Sequence, residues 1–185
     1  MATTDLQKFT VKEKLNKMDV DVITVSGVTV STNANNDLMY VPFEIPNAVA
    51  VPGGTCIIQS IVSHNPTDED QSHNLFIVSG STLDPTTGLP EITTDGTSAQ
   101  SASAALGSLN INAAHLTDIQ GVVPIPAGFA VGDDDMVASV LSIGMVCKAE
   151  PGSTSLYAFG ISTTGDTIST SSVSYTHLTL PTISR

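Results

Sequence analysis

The sequence is short of the side chains on which many binding and catalytic sites depend. It has no tryptophan, aromatic residues make up only 4% of its 185 residues, and arginine occurs once, as Arg185. Sugar-binding clefts stack aromatic rings on the ligand, and arginine is the usual clamp for phosphate or carboxylate substrates, so both kinds of site are poorly supplied. Glycine-rich phosphate loops are absent as well. These absences predict a protein that is not an enzyme.

Positive charge is scarce in the body of the chain. Between Met18 and Ser172 the only basic residue is Lys148, against sixteen carboxylates, and the whole chain carries a formal net charge of −12. A surface of that sign repels phosphate and anionic lipid, so neither nucleic acid nor membrane is expected as a partner. No apolar run approaches the length of a bilayer span, and the first residues lack the pattern of a secretory signal. We expect a protein made in the cytoplasm.

The two cysteines, Cys56 and Cys147, each lie within an apolar run. A thiol in such surroundings behaves as a small buried hydrophobe. Without a CxxC pair or a neighbouring histidine they do not predict a metal site, and spacing alone leaves open whether they form a disulfide.

Short apolar segments with a period of two dominate residues 19–172, separated by turns rich in Gly, Pro, Asp and Asn. Gly27 predicts a bulge or a turn before Val28, Pro42 predicts that the second strand lies at a sheet edge, and the apolar run 55–64 predicts a central strand. About eight strands and at most one or two short helices predict an all-β fold, an antiparallel, jelly-roll-like β-sandwich. The predicted strands are 20–30, 38–45, 55–64, 73–80, 106–112, 120–125, 135–149 and 154–162.

Three histidines, His64, His73 and His115, are candidate metal ligands. His64 ends one predicted strand and His73 begins the next, so a hairpin would bring them together, and Asp70 could add a third zinc ligand. The alternative is two histidines at a solvated loop, and His115 has no such partner. No spacing supplies the third ligand, so no metal site is predicted.

The remaining polar clusters also have ordinary explanations. The acidic triplets Asp133–Asp135 and Asp68–Asp70 could bind calcium but lack the spacing of a dedicated calcium loop, so solvated turns are expected. Ser79, Gly80 and Ser81 do not form a Gly-x-Ser-x-Gly elbow. The long stretch 81–104, rich in Ser, Thr, Gly and Ala, predicts an exposed loop. No catalytic residue, cofactor-binding residue, metal ligand or cofactor is predicted.

The two ends of the chain differ from its middle. Residues 1–18 hold four of the five lysines and predict a Lys-rich arm, either a solvated extension or a basic segment that lies on the acidic surface of a neighbouring copy. Residues 19–172 form the predicted sandwich domain. The segment VSYTHLTLPT, residues 173–182, resembles the translation of a transposase-type sequencing adapter. We therefore expect residues 173–185 to be a non-native tail, in which Tyr175, His177 and Arg185 have no functional role. The alternative is that Val173, Tyr175, His177 and Thr179 form one face of a natural last strand.

Several segments resemble small structural proteins found in the particles of tailed bacteriophages. They are EIPNAV followed by a Gly-Gly turn and a long apolar strand, the LG-x-x-NIN-x-A step, and the Ser-Leu-Tyr strand near the end, and together they span most of residues 20–165. The resemblance implies a β-rich virion protein without catalytic activity that decorates or completes the capsid or tail surface, made in the infected bacterial host. Its partners would be other virion proteins and copies of itself. The loop 83–104 and the Lys-rich arm depart from the pattern and leave the position in a particle open.

Two other functions are compatible with the residues. A sandwich-class binding module, such as a glycan or host-surface adhesin assisted by calcium, would need an exposed aromatic face near Tyr40, Phe43 or Tyr157, or cation binding at the acidic loops. A hydrolase would need loop carboxylates or His64 and His73 to converge.

Overall fold

The computed structural model describes residues 18–29, 38–65, 72–81, 83, 118–131, 136–163 and 173–183. These residues form eleven β-strands and contain no helix. The strands are β1 (Met18–Thr29), β2 (Leu38–Ile45), β3 (Thr55–Ile58), β4 (Ser60–Asn65), β5 (His73–Val78), β6 (Ile119–Ile125), β7 (Phe129–Ala130), β8 (Met136–Val140), β9 (Met145–Lys148), β10 (Leu156–Ser162) and β11 (Val173–Ile183).

All strand pairs are antiparallel and form two sheets. The four-stranded sheet has the order β2-β10-β5-β6. The seven-stranded sheet has the order β7-β8-β4-β11-β3-β9, with β1 paired to β11. The predicted antiparallel all-β sandwich is confirmed.

The pairing is that of a long hairpin rolled up on itself. Strand β5 pairs with β6 at the tip, β3 and β4 pair with β9 and β8, β2 pairs with β10, and β1 pairs with β11. When β3 with β4 and β8 with β9 are each counted as one bent strand, and the two-residue β7 is set aside, eight strands remain. This nesting, in which the first strand meets the last, is the arrangement of a jelly roll.

The two long strands bend at the same level. Strands β3 and β4 are separated only by Gln59, whose carbonyl accepts a hydrogen bond of 2.9 Å from the amide of Ile143, between β8 and β9. Ser142 and Gly144 both have positive φ, so the backbone cannot continue as a strand there. The single strand predicted for residues 135–149 is therefore wrong in extent and consists of β8 and β9.

Three local predictions are confirmed. The register of β1 against β11 shifts between Val25 and Val28, which places a bulge at Gly27. Strand β2, with Pro42, lies at the edge of the four-stranded sheet, where a residue without an N–H costs no ladder bond. The central position predicted for the apolar run 55–64 is confirmed, since β3 and β4 both lie inside the seven-stranded sheet, but the single strand predicted there is divided into these two.

Aliphatic side chains from both sheets fill the space between them. Ile45, Leu75, Ile77 and Leu156 come from the four-stranded sheet and are at most 1% exposed. They pack with residues of the seven-stranded sheet, of which Ile58 and Ile61 are the largest. Burying a side chain of this size stabilises the fold by about 1.5–3 kcal/mol, so this layer holds the sandwich together.

The chain ends are only partly within the described residues. Strand β1 begins at Met18, and residues 1–17 lie outside the described part. Strand β11 (Val173–Ile183) pairs with β1 on one side and with β4 and β3 on the other. The segment predicted to be a non-native tail thus occupies the last strand of the jelly roll, while its predicted origin and the predicted domain limits stay predictions.

Candidate contact surface

The most exposed large apolar side chains of the described residues are grouped in the segment 129–146. We call Phe129, Val131, Leu141 and Val146 the apolar edge; they are 80%, 57%, 69% and 63% exposed. Phe129 lies in β7 and Val146 in β9, the strands at the two ends of the order of the seven-stranded sheet, while Val131 and Leu141 directly follow β7 and β8. Because β8 and β9 are the two halves of one bent strand, all four residues lie on the same side of the sheet. Scattered apolar residues on a surface are normal, but this grouping along one edge is typical of a surface that contacts another protein.

The residues of the apolar edge lie beside edge strands of the sheet. Strand β7 has only two residues, Phe129 and Ala130, and pairs with β8 on one side; within the described residues β9 likewise pairs only with β3. An edge strand offers backbone donors and acceptors to a partner. In β9 one of these donors, the N–H of Lys148, already donates to Oε1 of Gln120 in β6 at 3.2 Å, so β7 is the more open of the two edges. Exposed apolar side chains beside such groups can bind another protein through both packing and hydrogen bonds.

Three carboxylates near one end of the sandwich bind serine hydroxyls. Ser155 Oγ donates to Glu44 at 2.5 Å, and Ser79 Oγ donates to Glu150 at 2.7 Å. Asp118, which is 5% exposed, accepts a hydrogen bond from the backbone N–H of Ser81 at 3.0 Å and another from its hydroxyl. Because Ser79 follows β5 and Glu150 follows β9, the bond between them joins the two sheets. These contacts assign the carboxylates a structural role.

Asp118 also closes the base of the segment that connects β5 and β6. Its backbone carbonyl accepts a bond of 3.0 Å from the N–H of Ser79, while its side chain holds Ser81. The two ends of the connection, most of which lies outside the described residues, are therefore held side by side. The sequence did not single out Asp118, since an isolated aspartate in a polar stretch carries no periodic signal.

Gly80 lies between this base and the ring of Tyr157. It has φ +81°, and a Cβ added there would lie 2.5 Å from the Tyr157 ring. Tyr157 is itself only 7% exposed, and burial, with a smaller contribution from Glu44, raises the pKa of its phenol. Phe43 packs against the core. Tyr157 therefore offers no open aromatic face to a ligand, Phe43 is half-buried, and the side chain of Tyr40 lies outside the described residues.

The histidines predicted to meet in a hairpin do not do so. His64 lies in β4 opposite Val137, in the seven-stranded sheet, whereas His73 lies in β5 opposite Ser162, in the four-stranded sheet. The predicted hairpin is wrong because β4 and β5, although consecutive, pair in different sheets. Asp70, His115 and the triplets Asp68–Asp70 and Asp133–Asp135 lie outside the described residues. Within the described part of the chain, no three His, Cys, Asp or Glu side chains are grouped to hold a metal ion.

Cys56 and Cys147 are brought together by the fold. They are direct partners in the pairing of β3 with β9, both are buried, and both are free thiols. Burial raises the pKa of Cys56 to about 11, and burial with the nearby Cys56 raises the pKa of Cys147 to about 12. The predicted burial of both is confirmed, and neither thiol is activated as a nucleophile while it stays buried.

No family model matches this chain, and no curated protein matches it. Among the described residues no helix is long and apolar enough to cross a membrane.

Proposed function

We propose that the protein is a non-enzymatic structural protein of a tailed-bacteriophage particle, which decorates or completes the capsid or tail surface through contacts between proteins. The observation that carries the proposal is the apolar edge, in which Phe129, Val131, Leu141 and Val146 are each more than half exposed. Removing apolar side chains of this size from water lowers the free energy, so a partner that covers them is bound more tightly.

The fold that carries the apolar edge is consistent with this role. The eight-stranded jelly roll is an architecture that viral capsid proteins and lectins share, although a fold by itself does not assign a function. Strand β10 is buried along its whole length, and the carboxylates of Glu44, Asp118 and Glu150 each accept a hydrogen bond from a serine hydroxyl. A body of this kind presents a fixed outer surface, which repeated packing between copies requires.

Charge supports contacts with copies of the same chain. The body has one basic residue, Lys148, while four lysines lie in the first 17 residues. Oppositely charged segments steer association and fix the orientation of partners. The basic arm of one copy can meet the acidic body of the next without a cofactor.

The proposal is tested by mass spectrometry of virus particles purified from the sample in which the gene occurs. Trypsin is a poor choice, since no lysine or arginine lies between Lys17 and Lys148. Digestion at the acidic residues divides that stretch into measurable peptides. We expect peptides from residues 19–163 to band with the particles in a density gradient, in constant ratio to the capsid protein.

A protein that stays at the top of the gradient while the capsid protein bands would contradict the proposal. An irrelevant host protein of similar size and acidity, followed in the same fractions, controls for trapping of soluble protein.

A further inference from the structure

The two buried cysteines form a cross-strand pair whose type follows from the backbone. The N–H of Ala149 donates to the carbonyl of Gly54 at 3.0 Å, and these residues are opposite each other in the register that continues β3 and β9. Hydrogen-bonded and non-hydrogen-bonded pairs alternate along an antiparallel ladder. Two positions further along, Cys56 and Cys147 therefore form a hydrogen-bonded pair.

That position sets the spacing of the two thiols. Cα atoms of a hydrogen-bonded pair are about 5.5 Å apart, which falls within the usual range for disulfides. Their Cβ atoms are about 4.5–5.5 Å apart, whereas a disulfide draws them to about 3.5–4.5 Å. A bond can form here, but it pulls the strands together and is reduced more easily than a relaxed one.

Access to the pair depends on the edge of the sheet. Cys56 and Cys147 are 1% and 0% exposed, so a reagent cannot reach either sulfur while β9 is in place. Among the described strands β9 pairs only with β3, and it is four residues long. An edge strand this short opens more readily than the centre of the sheet, and opening exposes both thiols together.

We propose that Cys56 and Cys147 are a reversible oxidation site, which forms an intramolecular disulfide by exchange with a small-molecule disulfide such as oxidised glutathione. One cysteine thiolate attacks a glutathione sulfur, and the glutathione S–S bond breaks to release one glutathione thiolate. The second cysteine then attacks the mixed disulfide and releases the other. The two cysteines lose two protons and two electrons, and two reduced glutathione molecules are formed. This inference does not depend on the proposed function.

The test uses the unaltered full chain, incubated with oxidised glutathione at pH 8.5 until a dithiol peptide in the same tube is fully oxidised. The protein is then unfolded and labelled with a maleimide. We expect both maleimide additions to be lost, the intact mass to fall by two hydrogens, and both thiols to return in excess reduced glutathione. The single variants Cys56→Ala and Cys147→Ala should keep a thiol or carry one glutathione.

Three results would overturn the proposal. They are two reactive thiols after the incubation, a stable glutathione adduct on each cysteine, and a disulfide that joins two chains on a non-reducing gel. A bridge that excess reduced glutathione does not open would contradict its reversible character.

Discussion

The two sheets of the sandwich differ in where they leave apolar side chains. In the four-stranded sheet, Phe159 and Tyr157 point away from the main core yet are 2% and 7% exposed, and the Phe159 ring stacks on Phe76 with centroids 4.9 Å apart. In the seven-stranded sheet, Phe129 and Leu141 lie at the edge and are open to water. A phenylalanine ring thus stabilises the fold in one sheet and is exposed to water in the other.

The largest expected effect separates two phenylalanines. Phe159→Ala removes a buried ring and leaves a cavity, so we expect the free energy of unfolding to fall by about 3–5 kcal/mol. Phe129→Ala removes an exposed ring and should change it by at most about 0.5 kcal/mol. Urea unfolding followed by circular dichroism measures both. Equal losses would show that the two sheets do not differ in this way.

A second pair of variants separates steric overlap from backbone strain. Gly80→Ala places a methyl group against Tyr157 at φ +81°, whereas Gly144→Ala meets nothing within 4 Å at φ +64°. We expect Gly80→Ala to cost about 2–4 kcal/mol and Gly144→Ala about 1 kcal/mol. Thermal unfolding of both proteins gives the comparison. If Gly144→Ala cost as much, the packing of Tyr157 would not be the cause.

Loss of the hydrogen bonds between Asp118 and Ser81 at the base of the β5–β6 connection should have a smaller effect on stability. Asp118→Ala leaves the N–H and hydroxyl of Ser81 without their acceptor, and we expect a loss of about 1–3 kcal/mol. Ser81→Ala keeps the backbone bond and should lose less. Limited proteolysis would show earlier cleavage between β5 and β6 in Asp118→Ala. Equal resistance to proteolysis in the wild type, Asp118→Ala and Ser81→Ala would show that Asp118 does not hold the ends of the connection together.

The buried thiols predict a fall in stability at alkaline pH. Their pKa values rise from 9.0 to about 11 for Cys56 and about 12 for Cys147 on folding. Between pH 9 and 12 the thiols ionise more readily in the unfolded chain than in the folded protein. Ionisation therefore stabilises the unfolded state, and the free energy of unfolding decreases as pH rises. Below pH 9 both states are protonated and the effect vanishes. The double variant Cys56→Ala and Cys147→Ala should show a flatter decrease in unfolding midpoint over this range, and an unchanged slope would contradict the assignment.

The alternation of apolar and polar residues predicted most of the strands. It could not predict which strands pair, because that depends on the topology of the whole chain. Gly27 and Pro42 act on their own strand, so a bulge and a sheet edge could be read from them. The meeting of His64 and His73 depended on which strands pair, and a two-residue period is the same in either sheet. The pairing of Cys56 with Cys147 and the contact of Asp118 with Ser81 join distant parts of the sequence. The residues near each of them in the sequence therefore could not predict these contacts.

The claim that the apolar edge binds another protein is tested most directly by cosedimentation with purified particles that have been stripped of their own copies of the protein. Fluorescently labelled wild-type protein and Val51→Ser, which alters an exposed side chain that is not part of the apolar edge, should sediment with the particles. The double variant Phe129→Ser and Leu141→Ser should keep its unfolding midpoint and bind at least about tenfold more weakly. Unchanged binding by the folded double variant would contradict the account.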